Sequence, residues 1–193
     1  MNRLLDRNDN LAIIIAGIFA IIVGVGVARF AFTSLIPSMI ENYLTITFAG
    51  ILASLNFAGY LSGSILSVFI KDMNQKVILF RIGLVLAVLT TFVLAFSTNE
   101  TYWIIARIIA GFAGAMGLVV GSAIVMTKLK MESKTKAMGI HFSGIGFSIL
   151  STDLINRFIL SQGGDWHEAW KVLAIFGAIL SVYSIYILSF DKK

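Results

Sequence analysis

The sequence predicts an all-α membrane protein that crosses the bilayer six times. Of its 193 residues, 58% are hydrophobic and 13% are charged, whereas a soluble domain carries roughly 25% charged residues. Six apolar runs are long enough to cross about 30 Å of hydrocarbon as helices that rise about 1.5 Å per residue. A transmembrane β-barrel would instead show alternating segments of about 10 residues. The connectors between the runs are short, so no separate soluble domain is expected.

The first span follows a polar tail, residues 1–10, and contains the only proline of the chain, Pro37. Proline has no backbone N–H, so the first helix is expected to end or kink near this residue. The spans are predicted at residues 11–40, 48–70, 77–96, 102–127, 137–160 and 169–190, followed by a second tail at 191–193.

The basic residues outside the spans are confined to alternate connectors. They occur in both tails and in the second and fourth connectors, whereas the first, third and fifth connectors contain none. The positive-inside rule therefore predicts that both termini of this multi-pass membrane protein are cytoplasmic. The residues concerned are Arg3, Arg7, Lys71, Lys76, Lys128, Lys130, Lys134, Lys136, Lys192 and Lys193.

Several function classes lack the residues they need. No run of Lys and Arg indicates a nucleic-acid surface, and the absence of cysteine excludes disulfides and thiol chemistry. No H-E-x-x-H motif indicates a metal site. The segment "HFSG" (141–144) lacks the glycine that precedes the serine of an intramembrane protease. We therefore expect no enzyme activity, no cofactor and no metal.

Arg29 is the most informative charge within a span. An arginine in the bilayer costs at least about 2.5–3.5 kcal/mol, so Arg29 should face protein or water. Asp153 is the only acidic residue deep within a span, and it could pair either with Arg29 or with Arg157, one helical turn away. Arg29 is therefore either half of a static buried pair or a cavity residue that binds an anionic group or takes part in proton movement.

Other polar residues in the spans join this candidate set. Arg107 lies in the fourth span, Asn56 and Tyr60 lie one turn apart in the second, and His141 lies near the inner end of the fifth. His141 could titrate near neutral pH, although a hydrogen-bonded helix contact is the other interpretation. The proposed roles for the set are lining a substrate cavity or coupling to protons.

Glycine marks the positions where helices should pack closely. Small residues four apart let two backbones approach each other, and the third and sixth spans, which hold fewer glycines, are predicted to face lipid. The candidate packing residues are Gly59, Gly63, Gly111, Gly114, Gly117 and Gly121.

Three local patterns resemble the major facilitator superfamily of transporters. "GYLSG" (59–63), followed by Lys71, Asp72 and Lys76, is similar to the signature of the family's second connector. "RIIAGFAGA" (107–115) is similar to the signature of its fourth span. "GVARFAFTSLIP" (26–37), together with "GIHFSGIGFSI" (139–149), resembles the YbfB/YjiJ-type branch. The resemblance covers the whole chain and corresponds to the N-terminal six-helix half of a twelve-span unit.

The resemblance implies a bundle of two three-helix inverted repeats. Spans 1 and 4 would line a central cavity, spans 2 and 5 would face the other half, and spans 3 and 6 would lie outside. Asp72 and Lys76 would act in gating at the second connector. The expected partners are the lipid bilayer, a small solute and a second six-helix half, either a separate chain or another copy. Two arginines facing the cavity favour an anionic solute.

The resemblance implies secondary transport of a small solute, with this chain as the N-terminal half of the transporter. The alternative is a half-size or truncated membrane protein with a channel-like or structural role and no transport of its own.

Overall fold

The fold is a bundle of six long helices. The computed structural model describes residue 6 and residues 9–130 and 134–189. The helices are α1 (Asn10–Ile40), α2 (Ile46–Phe69), α3 (Met73–Phe96), α4 (Glu100–Lys128), α5 (Lys134–Ser161) and α6 (Trp166–Ile187). All six are long and apolar enough to cross a membrane. The prediction of an all-α bundle with six transmembrane helices is therefore confirmed.

Helices α2 to α6 begin before the apolar runs from which they were predicted, because polar residues cap several of them outside the hydrocarbon segment. Asp72 accepts a hydrogen bond of 3.0 Å from the backbone N–H of Gln75, and Thr45 accepts one of 3.1 Å from Phe48. Such caps satisfy backbone donors that the first helical turn leaves free. At the other end of the chain, α6 stops at Ile187, whereas the predicted span reached residue 190. That residue, the tail 191–193 and most of the tail 1–10, including Arg3 and Arg7, lie outside the described residues.

Helices α1 and α4 each contain a wider π-helical segment. In α1 it covers Ile22–Phe30, and in α4 it covers Met116–Val120. Pro37 lies inside α1, which continues for one further turn to Ile40 instead of ending at the proline. Both π segments occur in the two most deeply buried helices, and π-helical turns are frequent at functional sites.

The packing of the helices follows an internal two-fold pattern. α1 packs on α5 as α4 packs on α2, and α6 packs on α1 as α3 packs on α4. Helices α3 and α6, which correspond to each other in this pattern, also contact each other. Exchanging the first three helices with the last three therefore preserves the packing, as expected for two three-helix inverted repeats.

Glycines allow the closest helix contacts. A Cβ added to Gly59 in α2 would overlap the carbonyl oxygen of Ile108 in α4, and one added to Gly111 would overlap the carbonyl oxygen of Asn56. A Cβ at Gly63 would lie 2.9 Å from the Cβ of Ala115, closer than real side chains approach. The α2–α4 contact therefore requires glycine at these positions. Gly114 and Gly117 face Gly24 of α1, and Gly121 faces the ring of Phe80 in α3.

The two ends of the bundle differ in composition. We call the end with the α2–α3 and α4–α5 connectors the basic end, because it carries Lys71, Lys76, Lys128, Lys130, Lys134 and Lys136. The opposite end, the aromatic end, holds a cluster in which the ring centroids of Tyr43, Trp103 and Trp166 lie 5.2–5.8 Å apart. Trp170 joins it, 6.4 Å from Trp103. Burial raises the pKa of Tyr43 in the α1–α2 connector, and the nearby carboxylate of Glu100 raises it further.

Burial within the chain separates the helices into three classes. The apolar segment of α1 is 78% buried and that of α4 is 67% buried, so these two form the centre of the bundle. The corresponding segments of α3 and α6 are 44% buried, and those of α2 and α5 only 22%. Within this chain α2 and α5 are the most exposed, because each covers α4 or α1 with one face only. These are the two spans that the resemblance expects to face the other half, and the lipid-facing position of spans 3 and 6 stays a prediction.

Candidate functional site

The candidate site lies where α1, α2 and α4 meet, in the half of the bundle nearer the aromatic end. Arg29 stands at the end of the π segment of α1 and is half-buried. Its Nε atom is buried and has no hydrogen-bond partner. Within residues 9–130 and 134–189, no carboxylate forms an ion pair with it. The guanidinium group therefore keeps an uncompensated positive charge and a free donor.

Aromatic rings surround the Arg29 side chain. Its Cζ atom lies 4.1 Å from the ring centroid of Phe57, 5.1 Å from that of Tyr60 and 5.4 Å from that of Phe30. A cation within about 6 Å of a ring centroid is attracted by the negative face of the ring. These contacts hold the charge in an apolar segment without neutralising it, and they bring the predicted residues Arg29 and Tyr60 together.

Arg107 lies close by on α4 but has a different environment. Only 2% of its surface is exposed, and its Cζ atom lies 4.3 Å from the ring centroid of Phe32. Its Nη1 atom donates to the carbonyl oxygen of Ala28 at 3.1 Å, and its Nε atom donates to that of Leu52 at 3.5 Å. Arg107 therefore ties α4 to the backbones of α1 and α2.

Asn56 connects the environments of the two arginines. Its side-chain NH₂ donates to the carbonyl oxygens of Arg107 at 3.0 Å and Ala28 at 3.3 Å. The residue is 1% exposed, and its Oδ1 atom is buried without a partner. The carbonyl of Ala28, immediately before Arg29, thus accepts hydrogen bonds from both α2 and α4. The position of Arg29 is therefore fixed by three helices.

Asp153 resolves the alternative that the sequence left open. Its Oδ2 atom accepts from Nε of Arg157 at 2.6 Å, and its Oδ1 atom accepts from Oγ of Ser34 at 2.8 Å. Arg157, and not Arg29, is therefore its cationic partner. Asp153 lines a groove of 460 Å³ between α1 and α5, whose walls also include Phe30, Thr33, Ser34, Gly146 and Thr152.

His141 does not join the Arg29 site. It lies on α5 in the half of the bundle nearer the basic end, is completely buried, and bonds to Oγ of Ser122 on α4 at 2.9 Å. Asp72 and Lys76 lie at the basic end, where Asp72 caps α3 and its carbonyl accepts from the backbone N–H of Lys76 at 3.1 Å. The structure thus brings Arg29, Arg107, Asn56 and Tyr60 together and places Asp153, His141, Asp72 and Lys76 elsewhere.

Sequence reasoning missed the apolar and hydroxyl partners of these groups. Phe57 and Phe32 cover the two guanidinium groups, and Ser34 and Ser122 bond to Asp153 and His141. The spacing of Phe57 and Tyr60 by three residues places both rings on one face of α2, which was the available signal for Phe57. Nothing in the sequence distinguished Ser34 or Ser122 from the other serines in the spans.

The arrangement is suited to binding an anion. A positive charge in a partly apolar environment, with donors unused, attracts an anion more strongly than the same charge in water. The described residues contain no group of three or more His, Asp or Glu side chains that could hold a metal ion. Six helices long and apolar enough to cross a membrane pack around Arg29 and Arg107, so the fold is that of a membrane protein with a cationic site between α1, α2 and α4.

Comparison with known proteins identifies the family. The sequence profile of the family described as "Uncharacterised MFS-type transporter YbfB" matches residues 21–193. The chain therefore belongs to this family of the major facilitator superfamily, and it is an integral, multi-pass membrane protein of a transporter family.

Individual relatives are more distant. The chain is 23% identical to "Efflux pump radE" of Floropilus chiversii, over 79% of this chain and 29% of that protein. It is 24% identical to "Trichosetin biosynthesis cluster MFS transporter" of Gibberella fujikuroi, over 80% and 33%. It is 22% identical to "Protein TsgA homolog" of Buchnera aphidicola, over 66% and 33%. The chain thus spans a third or less of the length of these curated relatives.

Proposed function

We propose that this chain is the N-terminal half of a secondary transporter that moves a small organic anion, with Arg29 as the solute-binding cation. One observation carries the proposal. Arg29 keeps a buried, unused donor and has no carboxylate partner in the described residues, although an arginine in the bilayer is costly. A charge that is retained at this cost but not neutralised within the fold is best explained by a ligand that neutralises it.

The surroundings of Arg29 favour an anion with an apolar body. Phe30, Phe57 and Tyr60 offer ring surfaces next to the guanidinium group, so a carboxylate attached to a hydrophobic body could contact both. Arg107, on α4, contributes a second positive charge near Arg29. Its own donors are used by the backbone carbonyls of Ala28 and Leu52. In this proposal Arg29 contacts the solute, and Arg107 and Asn56 position the backbone that carries it.

The missing partner is a second six-helix bundle. Alternating access in such folds works by rocking two bundles about a site between them. The second bundle would cover α2 and α5, which are the least buried of the six helices within this chain. The alternation of basic connectors supports an orientation with both termini in the cytoplasm of a bacterial cell, as part of the same proposal.

Anion binding can be tested on the chain in lipid nanodiscs. Benzoate is the probe, and the uncharged benzamide is its matched control. The NMR signal of the Arg29 Nε–H group should shift saturably with benzoate and stay unchanged with benzamide. Equilibrium dialysis of benzoate against the nanodiscs gives a readout that does not depend on the Arg29 signal. By this measurement Arg29→Gln should abolish binding, whereas Arg81→Gln, at an exposed arginine near the basic end, should leave it intact. A benzoate effect that survives Arg29→Gln would refute the proposed site.

Transport is tested separately from binding. Vesicles containing only this polypeptide should show insertion of the chain but no benzoate uptake, because a single bundle has no partner to rock against. The opposite result is benzoate uptake by this chain alone, together with loss of that uptake in Arg29→Ala. This result would contradict the need for a different second half. It would show instead that two copies form the transporter.

A further inference from the structure

His141 is a fully buried titratable group that the Arg29 site does not use. Its ring lies between α1, α4 and α5, where Gly17 makes room for it, since a Cβ at Gly17 would lie 2.5 Å from Nδ1 of His141. Nε2 is 2.9 Å from Oγ of Ser122, whereas Nδ1 is buried without any hydrogen-bond partner. A buried polar atom without a partner is costly, so its retention calls for an explanation.

A groove at the basic end lies next to this site and shares Ser122 with it. It has a volume of 420 Å³ and lies between α4 and α5, lined by Ser122, Ala123, Met126, Lys134, Thr135, Met138 and Phe142. Ser122 belongs to both features, because its side chain lines the groove and its hydroxyl group bonds to His141. The residue that bonds to the buried imidazole therefore also lines a space large enough for several water molecules.

Within residues 9–130 and 134–189, no carboxylate forms an ion pair or hydrogen bond with His141. Within a turn of Gly17, α1 carries only uncharged side chains, and Ser122 is the polar group that α4 presents to the ring. The titratable groups nearer the basic end of the packed elements are Asp9, Lys128, Lys130, Lys134, Lys136 and Tyr183. Ser122 is the polar partner recorded for the ring within the described residues, so an imidazolium at His141 would need water for its solvation.

We propose that His141 and Ser122 form a proton-binding site that opens to the basic-end groove. A hydronium ion in the groove gives one proton to the ring nitrogen that carries the lone pair, and a water molecule remains. The resulting imidazolium has two N–H groups, one directed at Ser122 and the other at the backbone beside Gly17. Because this charge is poorly solvated in the closed packing, protonation favours a state in which α5 separates from α4 and water reaches the ring.

This site is independent of the proposed anion site. It lies in the other half of the bundle and shares no side chain with the surroundings of Arg29. Failure of proton binding at His141 would leave benzoate binding at Arg29 unaffected, and the converse also holds. The two proposals can therefore be judged by different measurements on the same preparation.

The first test follows the imidazole nitrogens of the isotopically labelled chain in nanodiscs. The chain has only two histidines, so His167→Gln leaves a single signal set, and His141→Asn assigns the same signals by difference if the first variant does not fold. From about pH 8 down to about pH 4, a range that brackets ordinary histidine titration, we expect one reversible protonation of His141. An imidazole that stays neutral throughout this range overturns the proposal.

The second test measures opening of the groove. The chain contains no cysteine, so Thr135→Cys introduces a single thiol at the wall of the groove. The labelling rate is compared with that of the Thr135→Cys, His141→Gln double variant at each pH, which cancels the pH dependence of the thiol itself. The measured ratio is the labelling rate of Thr135→Cys divided by that of the double variant. On acidification this ratio should rise roughly fivefold or more, because fivefold is the lower end of ordinary coupling between linked equilibria. An unchanged ratio overturns the proposal, because His141 would then be a helix contact only.

Discussion

Arg29 and Arg107 lie on the two innermost helices and in the same half of the bundle, yet their environments are opposite. Arg107 is completely enclosed and gives its donors to backbone carbonyls of α1 and α2. Arg29 is half-buried, and aromatic rings surround it while its Nε atom remains without a partner. The difference indicates that one arginine is part of the scaffold and the other is available to a ligand.

Stability should separate the two arginines most strongly. Arg107→Met should lower the free energy of unfolding by about 2–4 kcal/mol, because two buried hydrogen bonds are lost: the carbonyl of Leu52 loses its bond from Arg107, and that of Ala28 keeps only its bond from Asn56. Arg29→Met should change it by less than about 1 kcal/mol, since no hydrogen bond to Arg29 is broken. Denaturant titration of both variants in the same detergent measures this. An equal loss in the two would contradict the division of roles.

Asn56 links the two environments, so its removal should have an intermediate effect. Asn56→Leu should cost about 1–2 kcal/mol, because the bonds to the carbonyls of Ala28 and Arg107 are both lost. It should also weaken benzoate binding at Arg29, because the backbone before Arg29 loses a support. Ser54→Leu is the matched control, since Ser54 is exposed on the same helix and bonds only to the backbone of that helix. If the two substitutions behave alike, Asn56 does not position Arg29.

Substitution of Asp153 should have the smallest effect on stability and on benzoate binding at Arg29. Asp153→Asn removes the charge from an exposed pair with Arg157, and such pairs contribute about 0–1 kcal/mol. Because Asp153 does not contact Arg29, benzoate binding and the Arg29 Nε–H signal should remain as in the wild type. A marked shift of that signal in Asp153→Asn would show that the two groups are coupled, and that Asp153 helps to neutralise Arg29.

The number of helices and their type could be predicted because hydropathy over about 20 residues is a strong signal. The unusual charge at Arg29 was also visible, since an intramembrane arginine is rare. Its neighbours were not, because Phe57 and Tyr60 reach it only through the register that Gly59 and Gly111 set between α2 and α4. The π segment of α1 further changes which face of the helix each later residue occupies, so a constant helical period misplaces Ser34.

The choice of partner for Asp153 illustrates the same limit. The helical spacing to Arg157 made one pair geometrically natural, and the depth of Arg29 made the other possible. Only the crossing of α1 over α5, which brings Ser34 within 2.8 Å of the carboxylate, fixes the direction of the Asp153 side chain. Contacts within one helix can be derived from spacing, whereas contacts between helices depend on the packing of the whole bundle.

The aromatic end gives the protein an intrinsic fluorescence signal from one known place. All three tryptophans of the chain, Trp103, Trp166 and Trp170, belong to one cluster that joins α4, α6 and the α1–α2 connector through Tyr43. Intrinsic tryptophan emission therefore comes from a single end of the bundle. A change in emission during a titration would signal rearrangement at the aromatic end, and events near His141 can be followed by an introduced probe without interference.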